Sequence, residues 1–244
     1  MSNWENIPTF VSSTFDKKDT MKHNSIILCT LLLLLGMGSV ACAQTVNPVF
    51  VYTLDGVETE AQEIDDGEAP LEATFKANPS DMEGLTPSYE WHFRRQDIQA
   101  DFLVRYEEET TFRFTESGTY DIVLKVTFPD SEDAVVEPVT LKVVISESKL
   151  EFPNAFSPNG DGINDVYKAK DGYKSIVSFH ASIYNRWGQK LFEWTDPSKG
   201  WNGKFKGHDV KEGVYFVLVK AKGADGHNYN IRKDVNLMRG YTEK

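Results

Sequence analysis

Apolar and polar residues alternate along most of the chain after position 44, the period of half-buried β-strands. Val139, Leu141, Val143 and Ile145 alternate with Thr140, Lys142 and Val144. Tyr120, Ile122, Leu124, Val126 and Phe128 do the same until Pro129-Asp130 breaks the run. Phe112 and Phe114 open a preceding strand, with Ser117-Gly118 as the turn. Further strands are predicted at Ser178 to Tyr184, Lys190 to Trp194, Gly213 to Lys222 and about Tyr229 to Met238. Asn185-Arg186-Trp187-Gly188 joins the first two, and Ala224-Asp225-Gly226 reads as a hairpin turn. In the Gly213 strand both alternating sets are apolar: Val214, Phe216, Leu218 and Tyr215, Val217, Val219. That pattern predicts a central strand buried on both faces. Stretches with a 3.6-residue period are lacking, so the expected fold is all-β: two tandem antiparallel β-sandwich, immunoglobulin-like domains behind a cleaved signal peptide.

One segment breaks the pattern. Met21-Lys22-His23-Asn24 is followed by the apolar run Ile26 to Leu35, then by Gly36, Gly38, Ser39 and Ala41-Cys42-Ala43-Gln44. A basic start, a short apolar stretch and an A-x-A site read as a secretory signal peptide over 21–43, cleaved between Ala43 and Gln44. The run is too short to span a bilayer, which takes about 20 apolar residues. Met21 is then the expected start, and residues 1–20 a mis-annotated extension. The alternative is lipidation at Cys42, although Ser39-Val40-Ala41-Cys42 is a poor lipobox.

Charge divides the body in two. Of 244 residues, 26 are Lys or Arg and 37 Asp or Glu, a net of −11. Residues 44–150 hold 8 basic and 23 acidic side chains, a net of −15; residues 151–244 hold 15 and 11, a net of +4. Such a break points to two units, 44–148 and 152–244, with a short linker at 149–151. The acidic balance argues against nucleic-acid binding, which needs a basic surface. Cys29 and Cys42 are the only cysteines, and both fall in the leader, which excludes disulfide frameworks and zinc clusters.

Two resemblances carry function. Ala69-Pro70-Leu71-Glu72-Ala73-Thr74-Phe75, Tyr89-Glu90-Trp91-His92-Phe93 and Gly118-Thr119-Tyr120-Asp121-Ile122 are similar to a PKD (polycystic-kidney-disease) domain over 44–148. Arg94-Arg95-Gln96-Asp97 stands where that family has a Gly-Asp-Gly turn, so the match is divergent. Trp91 is expected as a core plug between two sheets, with an aromatic ligand platform as the other reading. The second unit resembles the gliding-motility-associated C-terminal domain. The motif runs through Phe156, Asn159 and Asp161 of the Phe-Pro-Asn-Ala-Phe-Ser-Pro-Asn-Gly-Asp-Gly opening, then Asn185, Trp187 and Gly188, Trp201 and Gly213. That resemblance implies a targeting domain of the type IX secretion system. It implies as partners the translocon and outer-membrane or surface-attachment components, beside an unknown protein or glycan ligand. The route is implied; the activity of the cargo is not.

Chemistry is sparse. Ser157, Asn159, Asp161 and Asp165 have the oxygen spacing of a calcium loop, although Ile163 takes one ligand position and no Glu closes it. The alternative is an Asx-rich turn that caps its own amides. Trp187, Trp194 and Trp201, spaced by seven, fit either a sugar-stacking platform or a sandwich core, and core is favoured. The acidic runs Glu58-Thr59-Glu60, Glu63 to Asp66 and Glu107-Glu108-Glu109 read as solvated faces. His92, His180, His208 and His227 lack ligand spacing, and there is no G-x-S-x-G, Walker loop or H-E-x-x-H. No catalytic residue is expected, and calcium at the 157–165 loop is the one cofactor candidate.

Overall fold

The computed structural model describes residues 44–54, 56–82, 84–98, 100–130 and 136–240. The expectations for the leader, including cleavage after Ala43 and lipidation at Cys42, lie outside the described residues, apart from Gln44. Every regular element among the described residues is a strand. The first eleven are β1 (Thr45–Val46), β2 (Val49–Leu54), β3 (Val57–Ala61), β4 (Glu63–Gly67), β5 (Leu71–Lys76), β6 (Pro79–Ser80), β7 (Ser88–Arg95), β8 (Asp101–Arg105), β9 (Glu109–Phe114), β10 (Gly118–Thr127) and β11 (Val139–Ile145). The rest are β12 (Ala155–Phe156), β13 (Ile176–Tyr184), β14 (Lys190–Trp194), β15 (Lys204–Phe205), β16 (His208–Asp209), β17 (Gly213–Gly223) and β18 (Asn228–Leu237).

In the first half a four-stranded sheet, β3-β2-β5-β9, faces a five-stranded one, β4-β11-β10-β7-β8. The alternation explains the layering. Tyr120, Ile122, Leu124 and Val126 of β10 all turn inward, beside Trp91 and Phe93 of β7 and Leu141, Val143 and Ile145 of β11. Phe50 and Phe75 answer from the opposite sheet, with Phe75 meeting Phe93 edge-on at 5.2 Å between centroids. Trp91 is fully buried, and its indole N–H donates to the carbonyl of Glu107 at 2.9 Å. The core plug is therefore its role. The acidic runs hold more structure than charge alone predicts: Glu58 and Glu60 lie in β3, and Glu63, Asp65 and Asp66 in β4. Both are edge strands, where exposed charge discourages pairing with other chains, and Lys142 of the neighbouring β11 holds Glu63 at 2.7 Å.

The second half is one five-stranded sheet, β12-β18-β17-β13-β14, with its inner face roofed by irregular segments and the small β15–β16 pair. Phe152, Phe156, Tyr167 and Trp201 from that roof meet Ala181, Ile183, Val217, Val219, Val235 and Leu237 from the sheet. Two expectations are corrected here. Strand β17 is central in the hydrogen-bonding order but buried on one face alone: Val214 is 49% exposed, Phe216 45% and Leu218 40%. The roof covers one side of the sheet, and among the described residues no second layer lies on the other. The tryptophans also part company. Trp194 and Trp201 are core, whereas Trp187 is 78% exposed.

Candidate functional site

The turn between β13 and β14 builds its own mount. Asn185 sits where the chain leaves β13, and its Oδ1 accepts from the backbone N–H groups of Trp187 and Gln189, each at 3.0 Å. Its Nδ2 donates to the Gln189 side chain, and its backbone N–H donates to the Gln189 carbonyl, again at 3.0 Å. Gly188 closes the turn at a φ of 78°, the left-handed region that a side chain adopts only with strain, while its N–H donates to the Asn185 carbonyl. An asparagine side chain standing in for a backbone acceptor is an Asx turn. The consequence is that Trp187 is thrown outward on a rigid base. The Arg186 guanidinium lies 4.7 Å from its ring centroid, a cation–π arrangement.

Trp187 overhangs a cleft of about 570 Å³ lined by Arg186, Leu191, Phe205, Val214 and Phe216 among others. The cleft opens onto the exposed face of β17. Pairing register places Tyr184 and Asp234 beside Phe216, and Ser182 and Arg232 beside Leu218. Lys220 and Lys222 continue the same face. The result is an apolar strip with Lys220, Lys222 and Arg232 at one end and Asp234 beside Phe216, in the half of the chain with positive net charge. Lone exposed apolar residues are ordinary on a soluble protein, but a contiguous row ending in an exposed Trp marks a surface for contact.

The loop after Phe156 has a different character. Phe156 itself is core. Asn159 Oδ1 accepts from the Asp161 N–H at 3.0 Å, and Asp161 Oδ1 accepts from the Ile163 N–H at 2.8 Å. The two Asp165 oxygens accept from Gly160 at 2.7 Å and Gly162 at 2.8 Å. Those amides, Gly160 first, hold the Asp165 carboxyl below its ordinary value. Ser157 is buried, and its N–H donates to the Asn164 carbonyl at 2.8 Å. The four residues are thus brought into one loop, in which side-chain oxygens of Asn159, Asp161 and Asp165 accept from backbone amides. Among the described residues no three His, Cys, Asp or Glu side chains cluster for a metal.

The remaining motif residues frame the fold. Trp201 is fully buried, donates its indole N–H to the Lys204 carbonyl at 2.8 Å and meets the Tyr215 ring at 5.0 Å. Gly213 opens β17 at a φ of 139°. Sequence reasoning missed Arg239, whose guanidinium donates to the carbonyls of Pro158 and Gly203, both at 2.8 Å. Gly203 is required there: a Cβ would come within 3.0 Å of the Arg239 Nη2 and of Pro158, at a φ of 74°. A lone Arg near the end of a strand gives no spacing signal for such long-range bonds. In the first half, His92 stands between Asp101, at 2.8 Å from Nδ1, and Glu90, at 3.1 Å from Nε2. No Ser, Thr or Cys is bonded to that imidazole among the described residues, so the pair has no nucleophile to activate.

Residues 150–233 match the family model of the CHU_C type IX secretion signal domain, and the chain carries such a domain there. A type IX secretion signal implies export to the cell surface or the extracellular space. No curated protein matches the sequence. Among solved structures the chain is similar to the FN1–FN3 domains of chicken CNTN1, at 10% identity and a TM-score of 0.27, covering 72% of this chain and 66% of that one. It is similar to dimeric latent PorU from Porphyromonas gingivalis at 12% identity and a TM-score of 0.26, covering 80% and 20%. The fibronectin(III)-like modules of Clostridium thermocellum CbhA follow at 14% and 0.22, covering 72% and 88%. The chain thus spans just under two thirds of the first and a fifth of the second.

Proposed function

We propose that the chain is a non-enzymatic exported protein, delivered by the type IX route through its C-terminal half and held at the cell surface or released outside. The leader over 21–43, cut between Ala43 and Gln44, would serve the first membrane crossing, and the folded 152–244 half the second. The PKD-like half, 44–148, then acts as a binding or spacer module of adhesion type, toward a protein or glycan ligand. The observation that carries this reading is the exposed row Val214, Phe216 and Leu218, ending at Trp187, within the part that matches the signal-domain family. A large aromatic held on a rigid turn loses little freedom on binding and suits the centre of an interface. The flanking Arg186, Lys220, Lys222 and Arg232 fit an acidic rim on the outer-membrane component that reads the signal.

The test is delivery in a host with the type IX machinery. The protein is expected outside the cell in the intact strain and in the periplasm of a strain lacking the translocon. Equal appearance outside both strains overturns the reading.

The exposure of Trp187 favours one second reading, a glycan-binding module that stacks sugar rings on this aromatic. A polysaccharide pull-down abolished by Trp187→Ala would select it; Trp194 is buried and reports only on the core. Lipid anchoring through Cys42 is the other route to the surface, and palmitate labelling that is lost in Cys42→Ser would select it. We assign the Ser157, Asn159, Asp161 and Asp165 loop a bracing role. A melting curve raised by millimolar calcium, with the rise removed by Asp161→Ala, would instead make it a cation site.

A further inference from the structure

The tip of the β17–β18 hairpin leaves its own core and enters the other one. Ala224 is buried within the cluster that contains Leu71, Tyr120 and Ile145, and Val177 packs against that cluster as well. The backbone follows the side chain: Ser117 N–H donates to the Ala224 carbonyl at 3.0 Å, while Ala224 N–H donates to Ser175 at 2.9 Å. Ser175 is itself 2% exposed at a φ of 48°, and its Oγ accepts from the Ala69 N–H at 3.2 Å. Around this centre Ser148 Oγ donates to Asp225 at 2.8 Å and meets the Tyr229 hydroxyl at 2.9 Å, and Lys174 pairs with Asp66. Gly223 has no room for a side chain, since a Cβ there would lie 2.0 Å from Ser148 Oγ.

Separation would hand these donors and acceptors to water, so each bond contributes its modest net worth, in addition to the apolar burial of Ala224 and Val177. The Lys174–Asp66 pair joins a half of net +4 to one of net −15, so long-range attraction acts in the same sense.

From these contacts we infer that the C-terminal half is a fitted partner of the N-terminal sandwich: the hairpin tip completes the N-terminal core, and both halves fold and unfold as one cooperative unit. The surface formed by Ser175, Val177 and Gly223 to Asp225 takes the rim of the chain's own first sandwich as its occupant. Strand β17 runs eleven residues from Gly213 to Gly223, which is roughly 35 Å of extended chain, with Gly213 lining the cleft beneath Trp187 and Gly223 lying in the seam. The seam therefore lies at the far end of β17 from that cleft and does not cover it. The inference stands apart from the type IX reading, because it concerns folding and is tested without export.

The experiment follows backbone amide exchange of the full chain by mass spectrometry across a urea series, reading Ile122 in the first core and Val217 in the second. In the wild-type protein both are expected to lose protection at one midpoint. Ala224→Glu is expected to separate them, with the Ile122 midpoint falling by roughly 1 M urea. Because that variant alters a core directly, Ser148→Ala serves as the second: it removes bonds across the seam from outside both cores, and both midpoints should fall together. Two separate midpoints in the wild type, or a fall confined to one half in Ser148→Ala, overturns the inference.

Discussion

The two halves use the same device inward and differ outward. Gly118-Thr119-Tyr120 and Gly213-Val214-Tyr215 each open the long central strand of a sheet, and both glycines have a φ of 139°. In each, the tyrosine hydroxyl reaches back four residues to a backbone carbonyl, Glu116 at 2.9 Å and Lys211 at 2.6 Å. Each core also holds a fully buried tryptophan, Trp91 or Trp201, whose indole N–H donates to a carbonyl. Outward, β10 presents Asp121 and Lys125 beside Val123, whereas β17 presents Val214, Phe216 and Leu218. Shared inward residues are what a stable sheet needs. The outward residues are what set the two halves apart.

The comparison breaks most visibly at the tryptophans. Trp91→Ala and Trp201→Ala should each destabilise the protein by about 3–5 kcal/mol in urea unfolding, because both leave a large cavity. A cost below about 1 kcal/mol at either site would show that its core has not closed around the ring. Tyr120→Phe and Tyr215→Phe should each cost about 1 kcal/mol, the worth of one hydroxyl-to-carbonyl bond, and unequal costs would show that the shared geometry is not shared energetically.

Outside the cores the stability effect shrinks and the functional effect grows. Trp187→Ala and Phe216→Thr should change stability by less than about 0.5 kcal/mol while lowering the exported fraction several-fold. The matching change on the first half, Val123→Thr, should leave export unaltered. Equal export by all three variants, measured by cell fractionation, would remove the functional meaning of the difference. The smallest effect concerns pH. The Gly160 and Gly162 amides depress the Asp165 carboxyl, so its contribution is fully present above the ordinary value of 3.8 and is lost as pH falls through the lower value of the folded protein. Asp165→Asn should flatten the acid limb of the stability curve, and an unchanged limb would show that the amides do not favour the charged form.

Several strands with one buried face were legible in the sequence, although Val49–Leu54 and Leu71–Lys76 were not. Val139–Ile145 and Lys190–Trp194 have the bounds that alternation predicts. The strands at Val57–Ala61 and Glu63–Gly67 escaped notice because charge runs read as solvated loops, yet an edge strand tolerates them. An unbroken run such as Val214 to Val219 reads the same whether both faces are buried or one is left open, since the pattern does not say how many layers the fold provides. Spacing likewise made Trp187, Trp194 and Trp201 equivalent. What separates them is the Asn185 side chain, which turns the backbone outward at Trp187 through bonds that the spacing of the tryptophans does not encode. Arg239 and the Ala224 seam depend on positions far apart in the chain, and only the fold brings those together.

Because the hydrogen bonds that brace the Asn185 turn among the described residues run between residues 185 and 189 and use no atom of the Trp187 side chain, the tip depends little on the identity of its outermost side chain. Position 187 can therefore be exchanged for other aromatic or aliphatic groups while the scaffold beneath keeps its shape. A lineage, or an engineer, can retune what that tip grips one residue at a time, leaving the frame intact.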